Sequence, residues 1–277
     1  MRLSPVSVSN LYSMATTDVT ALTFGLTLVR HGETQYNKEG LLQGQAVDSP
    51  LSETGRQQAD AAGRYLRDVN FTNVFVSDML RAKQTAETIM KHNSSCLRLQ
   101  MICDPLLKEK SFGVAEGKPV KEVREMAQAA GQSFPNFTPP HGETQEQVKE
   151  RVRQFMEKML LLMGNEDWLH RGKDVSSASV RETQQEEQNA HQGVQGVQAH
   201  ALVVTHGAYM CVAVRHFVEE LGCDVPQGCD RAHMFSLSPN TGMCRFILTV
   251  GKEQDTLVLS GIHCVFIHRK DHVKELH

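Results

Sequence analysis

The apolar positions fall into short β-prone runs alternating with stretches of helical spacing. Phe24 to Val29 is a strand-like run ending at Arg30-His31-Gly32, where the backbone must turn, so a buried strand is predicted to deliver residues to a loop. A polar loop with Asn37, Gly40 and Gly44 follows. Leu51-Ser52-Glu53-Thr54-Gly55 then opens a helical pattern through about Arg67, with small and apolar residues at Ala59, Ala62, Gly63 and Leu66. Val74 to Val76 predicts a second strand, and Ser77-Asp78 a cap for a helix from about Met79 to His92. Leu97 to Cys103 is strand-like, residues 119 to 130 helical, and Glu143 to Met163 helical again after the Pro-rich GQSFPNFTPPHG. Ala201 to Thr205 predicts a strand ending at His206-Gly207, followed by a helix through about Leu221. Phe235 to Leu237, Cys244 to Val250 and Leu257 to Val265 supply the last strands.

This alternation predicts an α/β fold, a three-layer α/β/α sandwich with a mainly parallel central sheet. Residues 164 to 200 interrupt it with a strongly polar segment centred on QQEEQNAHQGVQGVQ. A mobile surface insertion inside one domain spanning 21 to 277 is expected there, and a route by which protein partners could dock. Residues 1 to 20 are rich in Ser and Thr and contain a single Arg. A leader of no catalytic consequence is expected, with little support for a mitochondrial presequence or mitochondrial association.

With 277 residues and 40% hydrophobic content the chain can fill a substantial core. A net charge of -3 provides no global field for nucleic acid or anionic lipid, so any anion affinity must be local. No apolar run approaches the ~20 residues of a bilayer span. The seven cysteines form no CxxC pair, which argues against a disulfide framework or zinc cage and favours a reducing, cytoplasmic setting.

Against this background three His-Gly pairs stand out, at His31, His141 and His206, and the tetrapeptide HGET occurs twice, from His31 and from His141. A single histidine after a strand is ordinarily a loop residue. Two at strand ends, one preceded by Arg, make neighbours of distant residues, because binding loops of such sheets gather at the carboxyl ends of the strands. Glycine after each histidine lets the main chain approach a ligand closely. His141 follows two prolines and leads into a helix, so capping or loop packing is its expected role.

Leu28-Val29-Arg30-His31-Gly32-Glu33-Thr34 with Asn37 resembles the signature of the histidine phosphatase superfamily, which includes cofactor-dependent phosphoglycerate mutase. Ser77 to Ala86 is similar to the segment carrying that family's second arginine, here Arg81. Leu107 to Gly113 with Glu116-Gly117 is similar to the loop carrying its acid, here Glu109, and Val204-Thr205-His206-Gly207 to its second histidine. The motifs keep the family's order from residue 24 to about 250. LLQGQAVDSPLSETG, FTPPHGET, VVTHGAYM and SPNTGM narrow the likeness to its fructose-2,6-bisphosphatase-like members.

The resemblance implies a phosphoglycerate mutase-like fold and a phosphohydrolase working through a phosphohistidine. His31 would be the nucleophile and Glu109 the acid; Arg30, Arg81, His206 and Asn37 would bind phosphate. His206 would be protonated once phosphate is bound. Gln43, Gly44, Phe112 and Gly207, bordering these motifs, are expected substrate contacts. By spacing alone Glu109 is a solvated loop glutamate, and Glu33, two residues from His31, a loop brace. A planar guanidinium engages two phosphate oxygens and keeps its charge, so two arginines and a histidinium demand neither metal nor other cofactor. The expected partner is a small phosphorylated metabolite, fructose 2,6-bisphosphate first, with an effect on glycolysis. Bisphosphoglycerate phosphatase, phosphoglycerate mutase, or a regulatory scaffold using residues 164 to 200 are the alternatives.

Overall fold

The computed structural model describes residues 21–170, 190–253 and 256–274; the leader expected at 1–20 lies outside them. The elements run β1 (Leu22–Arg30), α1 (Gln35–Lys38), α2 (Glu53–Leu66), β2 (Asn73–Val76), α3 (Leu80–His92), β3 (Met101–Cys103), α4 (Val120–Ala129) and α5 (Gln145–His170). They continue with β4 (Ala199–Thr205), α6 (Gly207–Glu219), α7 (Arg231–Met234), β5 (Met243–Glu253) and β6 (Thr256–Arg269). One sheet holds the strands in the order β3-β2-β4-β1-β5-β6. The first four are mutually parallel, and β5 and β6 add an antiparallel edge.

Side chains of β1 divide by parity, as a pleated strand covered on both faces requires. Phe24, Leu26 and Leu28 join Val152, Phe155 and Met159 of α5 and Tyr209, Ala213 and Phe217 of α6 in one core cluster. Val29 joins Ala62 and Leu66 of α2 and Ala82, Ala86 and Ile89 of α3 in the other. The three layers are thus built from two apolar clusters separated by the sheet. At the carboxyl end the ladders run one residue past the strands: His31 N–H donates to Thr205 O at 3.0 Å, and Ser77 N–H to Val204 O at 3.0 Å. Those two bonds draw the loops after β1, β2 and β4 together.

Several local expectations change. Residues 235 to 237 are not a strand, because Asp230 accepts from Ala232 and His233 N–H and nucleates α7, leaving Phe235 as its C-cap. Only the end of Leu97 to Cys103 is strand; Asn93 Oδ1 accepts from Ser95 and Cys96 N–H and turns Ser95–Arg98 into a 3₁₀ helix. Ser77-Asp78 does not cap α3. Met79 is its N-cap residue, and Asp48 from another loop accepts from Leu80 N–H at 2.7 Å. Asn37 lies in α1, whose Thr34 cap it completes, and not in an open loop.

The polar segment is narrower than 164 to 200. Helix α5 continues to His170, and Ala190 and Val194 pack against the second cluster. The buried Arg245 guanidinium donates to Ala190 O at 2.5 Å and Gln192 O at 3.0 Å, tying the returning chain to the sheet. Residues 171–189, the centre of the expected insertion, lie outside the described residues. Among the described residues no helix is long and apolar enough to cross a membrane.

The first turn of α2 abuts the loop after β1 backbone to backbone. A Cβ on Gly32 would stand 2.5 Å from Gly55 O, and a methyl on Gly55 would overlap Glu33 O. Gly55→Ala should therefore force the loop and helix apart and cost about 1–3 kcal/mol. Urea unfolding checks this; an unchanged midpoint would show that the contact is soft.

Candidate active site

His31 is buried where β1 ends, and its ring is held by its own loop. Nδ1 lies 2.7 Å from Gly32 O. A carbonyl can only accept, so Nδ1 carries the proton and Nε2 is left with its lone pair. Arg81 Nε, donating to that Nε2 at 3.3 Å, agrees with the assignment. Burial first, then Arg81 and Arg30, pushes the His31 pKa well below its ordinary value, outweighing the opposing Gly32 hydrogen bond. The result is a neutral imidazole whose Nε2 lone pair is met by the Arg81 guanidinium.

His206, the N-cap of α6, is fully buried, and its ring centroid stands 5.2 Å from that of His31. The two imidazoles, remote in sequence, therefore meet. Its Nε2 is 2.7 Å from Ser77 Oγ and its Nδ1 has no hydrogen-bond partner. Burial, then Arg81, His31 and Arg30, pushes its pKa well down.

Arg81 is anchored through its fork, which donates to Gly44 O at 2.9 Å and Val47 O at 3.0 Å. Burial lowers its pKa to about 10, opposed mainly by Glu109. Arg30 Nη1 donates to Ser238 O at 2.6 Å, while its buried Nε has no partner. Gly207 allows this approach: a Cβ there would be 3.1 Å from Arg30 Nε.

Glu109 docks on the N-terminus of α6. Its Oε2 accepts from Ala208 N–H at 3.1 Å and its Oε1 from Tyr209 N–H at 3.0 Å, using two of the unpaired donors of a helix start. Glu33 braces the loop as expected, accepting from Ser52 Oγ at 2.8 Å.

Arg30, His31, Asn37, Gln43, Gly44, Arg81, Glu109 and Phe112 line one cavity of about 430 Å³. Of the residues predicted for the site, His206 and Gly207 are not among those lining the cavity, although the His206 ring stands beside that of His31, and exposed His141 takes no part in it. Asn37 spends its Oδ1 on Thr34 N–H and Asn240 Nδ2, and Gln43 Oε1 accepts from Ser49 Oγ. The sequence reading passed over Lys110, Arg124 and Arg215, which line the same cavity with Phe134, Phe235 and Leu237. It also passed over Ser77, and Asn240, whose amide donates to His31 O at 3.2 Å. SPNTGM carried that last signal, as a turn beside a strand. Among the described residues no cluster of three or more His, Cys, Asp or Glu is placed to hold a metal ion.

The profile of the histidine phosphatase superfamily (branch 1) matches residues 26–170. A probable fructose-2,6-bisphosphatase TIGAR A of Danio rerio is 55% identical over 254 residues, 91% of this chain and 99% of the relative. The chain belongs to the histidine phosphatase superfamily. The fructose-2,6-bisphosphatase TIGAR of Xenopus laevis is 40% identical over 265 residues, 91% of this chain and 96% of that one. Phosphoglycerate mutase of Bacillus anthracis shares the fold, with a TM-score of 0.63 and 20% identity over 91% of this chain and 96% of that structure.

Four buried histidines of this histidine phosphatase and the half-buried His272 have lowered pKa values: His31, His200 and His206 well below normal, His268 and His272 at about 4. The unfolded chain takes up their protons near pH 6.5 and the folded one does not. Their stabilisation is thus full above about pH 6.5 and lost as pH falls, by about 1.4 kcal/mol per pH unit for each that stays neutral. Urea midpoints should drop steeply between pH 7 and pH 5; a flat profile would contradict the burial of these rings.

Proposed function

We propose that this histidine phosphatase removes the 2-phosphoryl group of fructose 2,6-bisphosphate through a phosphohistidine on His31. The observation that carries the reading is the pair of contacts at the His31 ring, Nδ1 on Gly32 O and Nε2 on Arg81 Nε, in the wall of a cavity that also presents Arg30 and Glu109. Nε2 attacks phosphorus in line as the ester P–O bond breaks, and Glu109, protonated at that moment, gives its proton to the departing sugar oxygen. Glu109 carboxylate then takes a proton from the water that attacks phosphohistidine, releasing inorganic phosphate and restoring Nε2.

Arg81 Nε leaves the His31 lone pair for an equatorial phosphoryl oxygen, and the free Nε of Arg30 meets another. His206, 5.2 Å from His31, takes up a proton against the phosphate dianion and donates as well. Asn37 supplies a neutral amide donor to the same group, and Gln43, Gly44 and Phe112 line the cavity that receives the sugar.

The bisphosphate is preferred because the cavity continues beyond the reacting end. Along α6, Ala208, Cys211, Val212 and Arg215 line it as a stripe, placing Arg215 about 10 Å of helix from the turn that holds Glu109. Arg124 of α4 joins it from a separate apolar cluster, and both arginines lie against phenylalanine rings, Phe134 and Phe235. A second anionic group at that distance suits a sugar carrying two phosphates, the substrate in the names of the similar TIGAR proteins. Seven unpaired cysteines suit a cytoplasmic setting.

A phosphate-release screen over sugar bisphosphates and phosphoglycerates tests the proposal. Fructose 2,6-bisphosphate should rank first, EDTA should leave the rate unchanged, and His31→Ala should abolish it. Net transfer between phosphoglycerates without phosphate release would instead indicate a mutase, and a cellular effect surviving His31→Ala a scaffold. Arg81→Lys should lower kcat/KM at least 100-fold, because a point charge loses both the fork and its two loop anchors. A loss under threefold would remove Arg81 from phosphate binding.

A further inference from the structure

The second HGET does not line the catalytic cavity, yet it repeats the architecture of the first. Thr34 caps α1 in a box with Asn37, and Thr144 Oγ1 accepts from Gln147 N–H at 3.1 Å while Gln147 Oε1 accepts from Thr144 N–H at 2.8 Å. His141 adopts a left-handed backbone, φ 61°, and points its chain back toward the acid loop. There Gly142 packs where a Cβ would be 3.0 Å from Ser111 O, and Glu143 N–H donates to that same carbonyl at 2.8 Å.

Glu143 is mostly buried and meets Arg151 of α5 two-pronged, Nε to Oε1 at 2.9 Å and Nη2 to Oε2 at 2.9 Å. The same guanidinium donates to the backbone around the acid: Leu106 O at 2.7 Å, Lys108 O at 2.9 Å and Glu109 O at 3.3 Å. Gln45 Nε2 makes a second bridge, to Glu109 O at 2.8 Å and Glu143 Oε2 at 3.0 Å. Glu143 Oε2 also takes Ser111 N–H at 2.8 Å. A closed ring results, in which two side chains, Arg151 and Gln45, each span from Glu143 to the carbonyl of Glu109.

We infer that Glu143 and Arg151 are positioning residues for the active-site acid, holding the Glu109 main chain so that its carboxyl reaches the leaving oxygen. The inference rests on the reading of Glu109 as that acid. A planar, always-charged fork with five donors can fix three carbonyls and a carboxylate at once, which Lys cannot. An acid displaced by about 1 Å loses a large part of the ~10²–10⁴-fold that proton donation supplies.

The leaving group separates positioning from general damage. An alkyl phosphate expels an alkoxide that needs the proton; p-nitrophenyl phosphate expels a stable phenolate that does not. Glu143→Gln, Arg151→Lys and Gln45→Ala are compared with native protein and Glu109→Gln by kcat/KM on both, using the best alkyl phosphate from the release screen. Gln45→Ala strands no buried charge and serves where the other variants fail to fold, as circular dichroism would report.

Glu143→Gln and Arg151→Lys should lose about 10- to 100-fold on the alkyl phosphate and under threefold on p-nitrophenyl phosphate, with Gln45→Ala following the same pattern more weakly. Equal losses on both substrates, or none on either, with Glu109→Gln still selective, would overturn the positioning role. Where the other two do not fold, a non-selective Gln45→Ala overturns it. A Glu109→Gln variant without leaving-group selectivity would instead overturn the reading of Glu109.

Discussion

The hydrogen bond from His31 Nδ1 to Gly32 O decides what the rest of the site can do. An imidazole can attack phosphorus only through a nitrogen without a proton, and in a buried ring that nitrogen is chosen by whatever the other one bonds. Gly32 sits where only a glycine fits against α2, so the carbonyl that selects the tautomer is itself fixed by helix packing. Burial and the fields of Arg81 and Arg30 add the second condition, that the ring stays neutral. In the proposed reaction the same arginines that discourage a charge on the imidazole attract a phosphate to it.

Sheet topology is what makes this local device into a site. β4 lies between β1 and β2, so the loops carrying His31, Ser77 and His206 emerge side by side, and α6 starts with two free N–H groups that seat Glu109. In the proposed reaction the acid and the nucleophile therefore approach the phosphate from different layers of the sandwich. Neither needs a flexible loop to find its place.

Much of this was legible in the chain. Arg30-His31-Gly32 and His206-Gly207 at the ends of apolar runs mark both imidazoles, and the order of the motifs points to Arg81 and Glu109, which line one cavity with His31. Less legible were groups whose role depends on tertiary closure. Ser77 reads as a helix cap, yet it faces His206, because Asp48 from another loop takes over the cap. Phe235 to Leu237 reads as a strand and forms cavity wall, since the Asp230 cap wins locally. Arg124 and Arg215 look like ordinary solvated helix residues until α4 and α6 close on one cavity. The two HGET copies are identical in sequence and differ in use because only the first follows a buried strand.

The most direct test of the account is the protonation of His31 in ligand-free protein, read by long-range ¹⁵N–¹H correlation NMR on histidine-labelled material and assigned with His31→Ala. Nδ1–H with an unprotonated Nε2 is expected at pH 7, unchanged down to pH 5.5. An imidazolium at pH 7, or a proton on Nε2, would contradict it.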